Sequence, residues 1–330
     1  MQMRRLGTTG PEVSAIGLGA MGMSGMYGPS DRAESLATIH AAIEAGVNLI
    51  DTGDFYGMGH NELLISEALK DHRRDEVVLS VKFGAQRGPD GSWLGFDGRP
   101  AAVKTALAYT LNRLGVDHID VYRPARLDPN VPIEDTVGAI AEMVQAGYVR
   151  HIGLSEVGSE TIRKAAAVHP IADLQIEYSL LSRGIEDGVL QTTRELGIGI
   201  TAYGVLSRGL IGGNTKSFDA SGDFRAHAPR FQGENLRKNL ALADALAAAA
   251  SAAGLTPAQA AIAWVAAKGN DIIPLVGARR RDRLAEALGA LDKPLSAETI
   301  AALEAAAPQG AVAGTRYAQV QMAHLDSEKG

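Results

Sequence analysis

The strongest constraint on this chain is a repeated punctuation: a helix-like run, a glycine, then a short apolar strand. Gly46, Gly147 and Gly197 stand just ahead of the apolar runs 47–50, 149–154 and 199–203. Glycine reaches the left-handed backbone region without penalty, so it ends a helix cleanly where the chain must turn into a strand. The alternation runs along most of the chain. Strands are expected at 15–18, 47–50, 77–81, 119–122, 149–154, 174–176, 199–203 and 272–275. Helical patterns lie between them, at 61–70, 101–114, 133–146, 161–168, 185–196, 257–267 and 280–288. A further helix opens at Asp31, whose pairing with Glu34 has the form of a capping box, and places Leu36, Ile39 and Ile43 on one face. Thr256, Pro257 and Gln259 give a second strong helix start.

Eight such βα units, with no Pro/Gly-rich linker between halves, predict an α/β fold: a single (β/α)8 TIM barrel spanning residues 1–330 as one domain. A doubly wound parallel sheet is the competing arrangement, because βα repeats alone do not fix closure. The segment 4–7 with Val13 reads as an N-terminal β-hairpin at the barrel bottom. Two stretches break the rhythm: 84–100 after the third strand, and 204–235 after the seventh, with Gly209, Gly212, Gly213, Gly222 and Pro229. Both follow strand ends, where barrel chemistry is expected, and both read as long loops over a substrate site.

Composition narrows the function classes. A formal charge of −6, with no basic tract large enough to dominate the field, argues against nucleic-acid binding. Zero cysteines exclude disulfides, cysteine nucleophiles and thiolate metal sites, and fit a cytoplasmic location. The eight histidines form no ligand-spaced cluster, so no metal is expected. The start of the chain lacks an apolar signal core, and no 18-residue apolar run occurs, so no membrane partner is expected. The alanine-rich run 241–269 reads as two helices. A monomer and a homo-oligomer are equally compatible with a helical exterior.

Chemistry concentrates at strand ends. Asp51 closes the second strand, Tyr56 follows five residues later, and Lys82 closes the third. A free tyrosine, with pKa near 10, is a poor acid at neutral pH. A neighbouring ammonium favours its phenolate, and an aspartate can hold that ammonium in place. Together they can protonate a carbonyl oxygen while hydride reaches its carbon. Taken singly, each residue has a plain structural role open to it. The run Gly17-Leu18-Gly19-Ala20-Met21-Gly22 is a weak dinucleotide fingerprint, because no clean glycine-rich helix entry follows. Ser155, Glu156 and Gln175 have polar groups suited to an amide, and Tyr203 a ring suited to stacking. The stretch from Gly277 through Arg279, Arg280, Arg281 and Arg283 joins a strand end to a helix start and is the best phosphate candidate, with Arg279 and Arg283 the preferred pair. A ribose phosphate bound there would select NADPH over NADH.

On these residues the chain closely resembles the aldo-keto reductase superfamily, over nearly its whole length. The matching segments are Asp51-Thr52 with Tyr56-Gly57 and Asn61-Glu62, Lys82, Asp128-Pro129 with Glu134-Asp135-Thr136, Gly153-Leu154-Ser155, Tyr203 through Arg208-Gly209, and Ile273-Pro274 to Leu288-Gly289. The resemblance implies a barrel that binds NADP(H) in extended form and reduces carbonyls, with Tyr56 as general acid tuned by Lys82 and Asp51. It implies cofactor contacts from Gly19, Met21, Asp51, Ser155, Glu156, Gln175, Tyr203, Gly204, Leu206, Arg208, Gly277, Arg279, Arg283 and Ala287. Glu156 replaces the family's usual asparagine, and Ala287 stands where many members have an adenine-contacting asparagine. Ala125, in Arg123-Pro124-Ala125-Arg126, stands where the family places a carbonyl-orienting histidine. Arg123 is one substitute for that donor, whereas Arg126 is expected in a structural ion pair.

The substrate pocket is expected to be framed by Met23, Met26, Tyr27, Phe55, Trp93 and Arg123, with Met21 and Tyr56 alongside. Methionines make an adaptable apolar wall, and Trp93 suits an aromatic aldehyde. The expected function is NADPH-dependent reduction of aldehydes or ketones, with aromatic or pyridoxal-like substrates favoured. The alternatives are reverse-direction oxidation of a sugar or polyol, and a cofactor-binding sensor or β-like regulatory subunit with weak turnover.

Overall fold

A computed structural model describes residues 1–72, 74–212 and 223–329. Eight parallel strands close into a barrel: β3 (Gly17–Gly19), β4 (Leu49–Gly53), β5 (Val78–Phe83), β8 (Ile119–Pro124), β9 (Val149–Ser155), β10 (Ile171–Glu177), β11 (Gly199–Tyr203) and β12 (Ile272–Val276). The closing seam pairs Leu275 with Gly17 and Val276 with Leu18. Closure removes the doubly wound alternative. The hairpin of β1 (Met3–Arg5) and β2 (Glu12–Ser14) lies at the bottom, where Leu6 and Val13 pack on Leu49, Val121 and Ile273.

Helices follow the strands as the glycine punctuation requires: α1 (Arg32–Glu44), α2 (His60–Ala68), α3 (Pro100–Leu114), α4 (Ile133–Gln145), α5 (Ser159–Val168), α6 (Val189–Glu195), α7 (Gly233–Ala252), α8 (Pro257–Ala267) and α9 (Arg281–Leu288). Gly46, Gly147 and Gly197 adopt φ of 85°, 87° and 66°. Thr256 and Gln259 form the full reciprocal capping box. At α1 only half of the expected box forms. Asp31 accepts from the Glu34 amide at 2.7 Å, while the Glu34 carboxylate pairs with Arg281 instead. The helix expected over 185–196 is interrupted at Gly188, with a 3-10 turn before it. The alanine-rich region is two helices, α7 and α8, bent by 83°, and no single described helix is long and apolar enough to cross a membrane.

The first long loop is not irregular. Its residues form an antiparallel hairpin, β6 (Ala85–Arg87) with β7 (Trp93–Phe96), standing at the top of β5. In the second, 3-10 turns occupy Ser207–Gly209, Phe224–His227 and Pro229–Phe231. Gly213 and Gly222 of that loop lie outside the described residues.

Two features position the site. Inside the barrel, Arg123 of β8 donates to Asp173 of β10 at 2.9 Å, and Thr201 of β11 also donates to Asp173. This charged layer fits because β9 carries a glycine there. A Cβ at Gly153 would come within 2.5 Å of the Asp173 carboxylate and 2.8 Å of Arg123 Nε. After α10 (Ala297–Ala306) the chain returns to the top of the barrel through α11 (Gln319–Met322). There Asp326 accepts from the Gly158 amide at 2.9 Å, and the Ser327 amide donates to the Glu156 carbonyl at 3.2 Å.

Candidate active site

Strand register brings the chemistry-bearing residues together. Asp51 pairs with Ser80 across β4 and β5, and Lys82 pairs with Gly53 on one side and Arg123 on the other. The buried Lys82 ammonium donates to Asp51 Oδ1. Asp51 Oδ2 accepts from Ser80 Oγ at 2.9 Å and from Gln175 Nε2 at 2.7 Å. Tyr56 is 6 % exposed, and Lys82 Nζ lies 5.2 Å from its ring centroid. The turn carrying Tyr56 is pinned from below by Asn61, whose amide N donates to the Tyr56 carbonyl at 3.2 Å. The Asn61 side chain accepts from Thr52 at 2.6 Å and donates to the Ala20 carbonyl at 2.9 Å. These partners explain why an asparagine five residues after the tyrosine belongs to the motif.

Electrostatics differ from the expectation in one respect. Burial pushes the Tyr56 phenol well above its ordinary value, and the Asp51 charge pushes the same way. Arg126 is the cation that opposes this most in the free protein, ahead of Lys82. The Lys82 ammonium is engaged by Asp51, and desolvation lowers its own pKa to about 8 against the pull of that carboxylate.

Asp51, Tyr56 and Lys82 open into a cavity of about 420 Å³ at the barrel top. Its wall includes Gly19, Met21, Met26, Tyr27, Phe55, Trp93, Gln175, Tyr203, Gly204, Leu206, Arg208, Gly277 and Arg279. Comparison with known proteins decides what kind of site this is. The aldo/keto reductase family profile matches residues 15–308. A probable aldo-keto reductase 1 of Glycine max is 41% identical over 322 residues, covering 96% of this chain and 92% of that protein. Aldo-keto reductase yakc [NADP(+)] of Schizosaccharomyces pombe is 42% identical over 311 residues, covering 92% of each. The solved glycerol dehydrogenase AKR11B4 from Gluconobacter oxydans superposes with a TM-score of 0.83 at 29% identity, covering 92% of this chain and 94% of that one. The chain belongs to the aldo/keto reductase family. It is accordingly an NADP(H)-dependent oxidoreductase of carbonyl and alcohol groups.

The groove of this aldo/keto reductase suits the cofactor in its donor set. It offers the Tyr203 ring, the Gly204–Gly209 turn and the Arg279 guanidinium, whose hydrogen bonds among the described residues go to the carbonyls of Tyr27, Gly28 and Pro29, at 2.9–3.4 Å. Six residues expected at the site lie outside this cavity wall. Arg283 stands outside the cavity and pairs with Glu286 at 3.0 Å, because the first turn of α9 carries it onto the helix exterior. Ala287 is on the buried face of α9 and does not line the cavity. Met23 is core, enclosed by the 3-10 turn that bears it. Arg123 lies in the barrel interior, beneath the cavity and out of reach of a substrate. Ser155 sits behind the wall and accepts from Arg126 at 3.3 Å.

Glu156 is the sixth. Its carboxylate accepts from Arg316 at 2.8 and 2.6 Å, from Tyr203 Oη at 2.6 Å, from Ser327 Oγ at 2.7 Å and from the Glu177 amide at 3.0 Å. Burial alone would raise its pKa, but Arg316 holds it well below the usual carboxylate range. No acceptor position is left for a carboxamide. Arg126, expected in an ion pair, instead faces the cavity. Residues 316–325 were missed altogether: Tyr317, Gln321, His324 and Leu325 complete the wall. Tyr317 Oη lies 3.0 Å from Tyr203 Oη, and the Arg208 guanidinium sits 4.0 Å from the Tyr317 ring centre. The one sequence signal was the charged–aromatic pair Arg316-Tyr317, two residues after Gly314, in an otherwise featureless tail.

Proposed function

We propose that this aldo/keto reductase reduces aldehydes or ketones with NADPH, Tyr56 giving its proton to the carbonyl oxygen. The observation that carries the reading is the buried Asp51–Lys82–Tyr56 cluster opening into the cavity. When bound, NADPH supplies the hydride; Tyr203, Gly204, Leu206, Arg208, Gly277 and Arg279 hold it, with Arg279 on the ribose phosphate. Tyr56 is held beside a cation that steadies the phenolate as negative charge develops on it. Asp51 keeps Lys82 in that position, and Ser80 and Gln175 keep Asp51 from rotating. Phe55, Trp93 and Phe96 present an aromatic wall, which favours aromatic or pyridoxal-like aldehydes.

The test is NADPH consumption with pyridoxal, aromatic and short aliphatic aldehydes, in the wild type and in Tyr56→Phe. The expected loss in kcat is about 10²–10⁴-fold with NADPH affinity nearly intact. Equal turnover in the variant refutes the proton-donor role. A second reading, a cofactor-binding sensor with slow turnover, draws on Ala125, whose methyl group offers no hydrogen bond to a carbonyl. Tight NADPH binding with negligible turnover across the panel selects it.

A further inference from the structure

The cavity wall carries six cationic side chains among the described residues, and they differ in how their charge is met. Lys82 is paired with Asp51, Arg208 with Glu177 at 2.7 Å, and Arg225 with Asp223. Arg279 is spread over three backbone carbonyls at the far end of the groove, where the cofactor phosphate is assigned. Arg87 lies at the rim, 5.1 Å from the Trp93 ring centre, and donates to the Gly91 carbonyl at 3.3 Å. Arg126 is the exception near the reaction centre. It is half-buried, and its hydrogen bonds among the described residues go to neutral acceptors: the Ala125 carbonyl at 2.6 Å, Ser155 Oγ at 3.3 Å and Tyr317 Oη at 3.3 Å; the Glu156 carboxylate acts on it from beyond ion-pair distance and is itself paired with Arg316.

A guanidinium stays charged at every working pH and has five N–H donors in a fixed fork. Three of the Arg126 donors are used in these bonds, which leaves Nε–H and one terminal N–H for a further acceptor. Drawing a cation out of water without a directly bonded counter-ion is unfavourable, and a carboxylate relieves this best because it takes two parallel charge-assisted hydrogen bonds. The neighbouring Ala125 also lines the cavity, and its methyl group leaves open the space that a larger side chain would fill there. The reduced nicotinamide head is uncharged, so the cofactor's reacting end does not supply the anion.

We propose that Arg126 binds a carboxylate carried by the substrate, so that the preferred substrates are anionic carbonyl compounds rather than neutral ones. This rests on the carbonyl-reductase reading above and names its substrate class. The carboxylate forms and breaks no covalent bond. It anchors the molecule while the carbonyl at Tyr56 becomes an alcohol, gaining the NADPH hydride at carbon and the Tyr56 proton at oxygen.

The experiment has two arms. In the first, 4-carboxybenzaldehyde and methyl 4-formylbenzoate are compared as substrates of the wild type, Arg126→Met and Arg126→Lys. A hydrogen-bonded charge pair predicts that kcat/KM favours the acid by roughly 10–100-fold in the wild type, mostly through KM. That preference collapses to near unity in Arg126→Met and is partly kept in Arg126→Lys. No preference in the wild type, or an unchanged preference in Arg126→Met, overturns the proposal. The second arm needs no turnover: calorimetric titration of benzoate into the NADP+-loaded protein. Binding that weakens at least about tenfold in Arg126→Met, with the thermal unfolding midpoint kept, supports the site. Absence of benzoate binding to the wild type overturns it. Benzoate binding through Arg126 without reduction of either aldehyde would refute the reductase reading and leave the anion site standing.

Discussion

Arg316 and Glu156, 160 residues apart in sequence, meet as a buried bidentate ion pair at 2.8 and 2.6 Å. The pair ties the C-terminal segment across the barrel mouth and sets Tyr317 against Tyr203. Removing one partner of a buried pair leaves the other charge uncompensated, so Arg316→Met should cost about 3–5 kcal/mol. Adding Glu156→Gln should restore part of that loss, because the buried Glu156 charge is then gone while Glu177 and Glu328 still lack Arg316. Urea unfolding of the two variants checks this; equal stability of the single and double variants would contradict it.

The two arginines assigned to the phosphate should now behave differently. Arg279→Met should weaken NADPH by roughly 10–100-fold and NADH far less, the loss of one charge-assisted contact to the 2′-phosphate. Arg283→Ala should leave both affinities within about twofold, since its partner is Glu286 outside the groove. Fluorescence titration of both cofactors with each variant gives the comparison.

Lys82 has a pKa of about 8, depressed chiefly by desolvation. The ammonium that supports Tyr56 is therefore present below about 8 and lost above it, so kcat for reduction should fall as pH rises through that value. Stability runs the other way. The cost of burying the charged lysine is complete below about 8 and fades as pH rises toward the unfolded value near 10.4. In Lys82→Arg the side chain stays charged, and the alkaline fall in kcat should disappear. A kcat profile over about pH 6 to about pH 10 for both proteins tests this.

Asp54, next to the catalytic turn, is raised to about 7 by burial, with the Glu62 charge adding to the shift. One of its oxygens is buried without a hydrogen-bond partner. A raised carboxyl takes stability away as pH climbs from the unfolded value near 4 to the folded value near 7. Asp54→Asn should therefore be more stable than the wild type at about pH 8, by on the order of 1–3 kcal/mol, and lose that advantage at about pH 4. Melting curves of both proteins at the two pH values decide it.

The barrel was legible because its signals are local. A glycine at 46, 147 or 197 needs only its neighbours to mark an αβ turn, and Asp51, Tyr56 and Lys82 gather simply because adjacent parallel strands end side by side. Depth was not legible. Arg123 has the spacing of a strand-end residue, yet its partner Asp173 comes from a strand 50 residues later and draws it into the barrel interior. The β6–β7 hairpin hid behind a glycine- and arginine-rich composition, with only two aromatic residues, Trp93 and Phe96, on the returning strand. The C-terminal strap has no periodicity, and the role of Arg316 exists only through contacts with Glu156, Glu177 and Glu328.

Gly153, Arg123 and Asp173 constrain one another's mutational paths. Any side chain at 153 collides with the ion pair, and losing either charged residue strands its partner in the barrel interior. Single substitutions at these three positions are therefore each deleterious, and change at this level of the barrel has to proceed by concerted replacement.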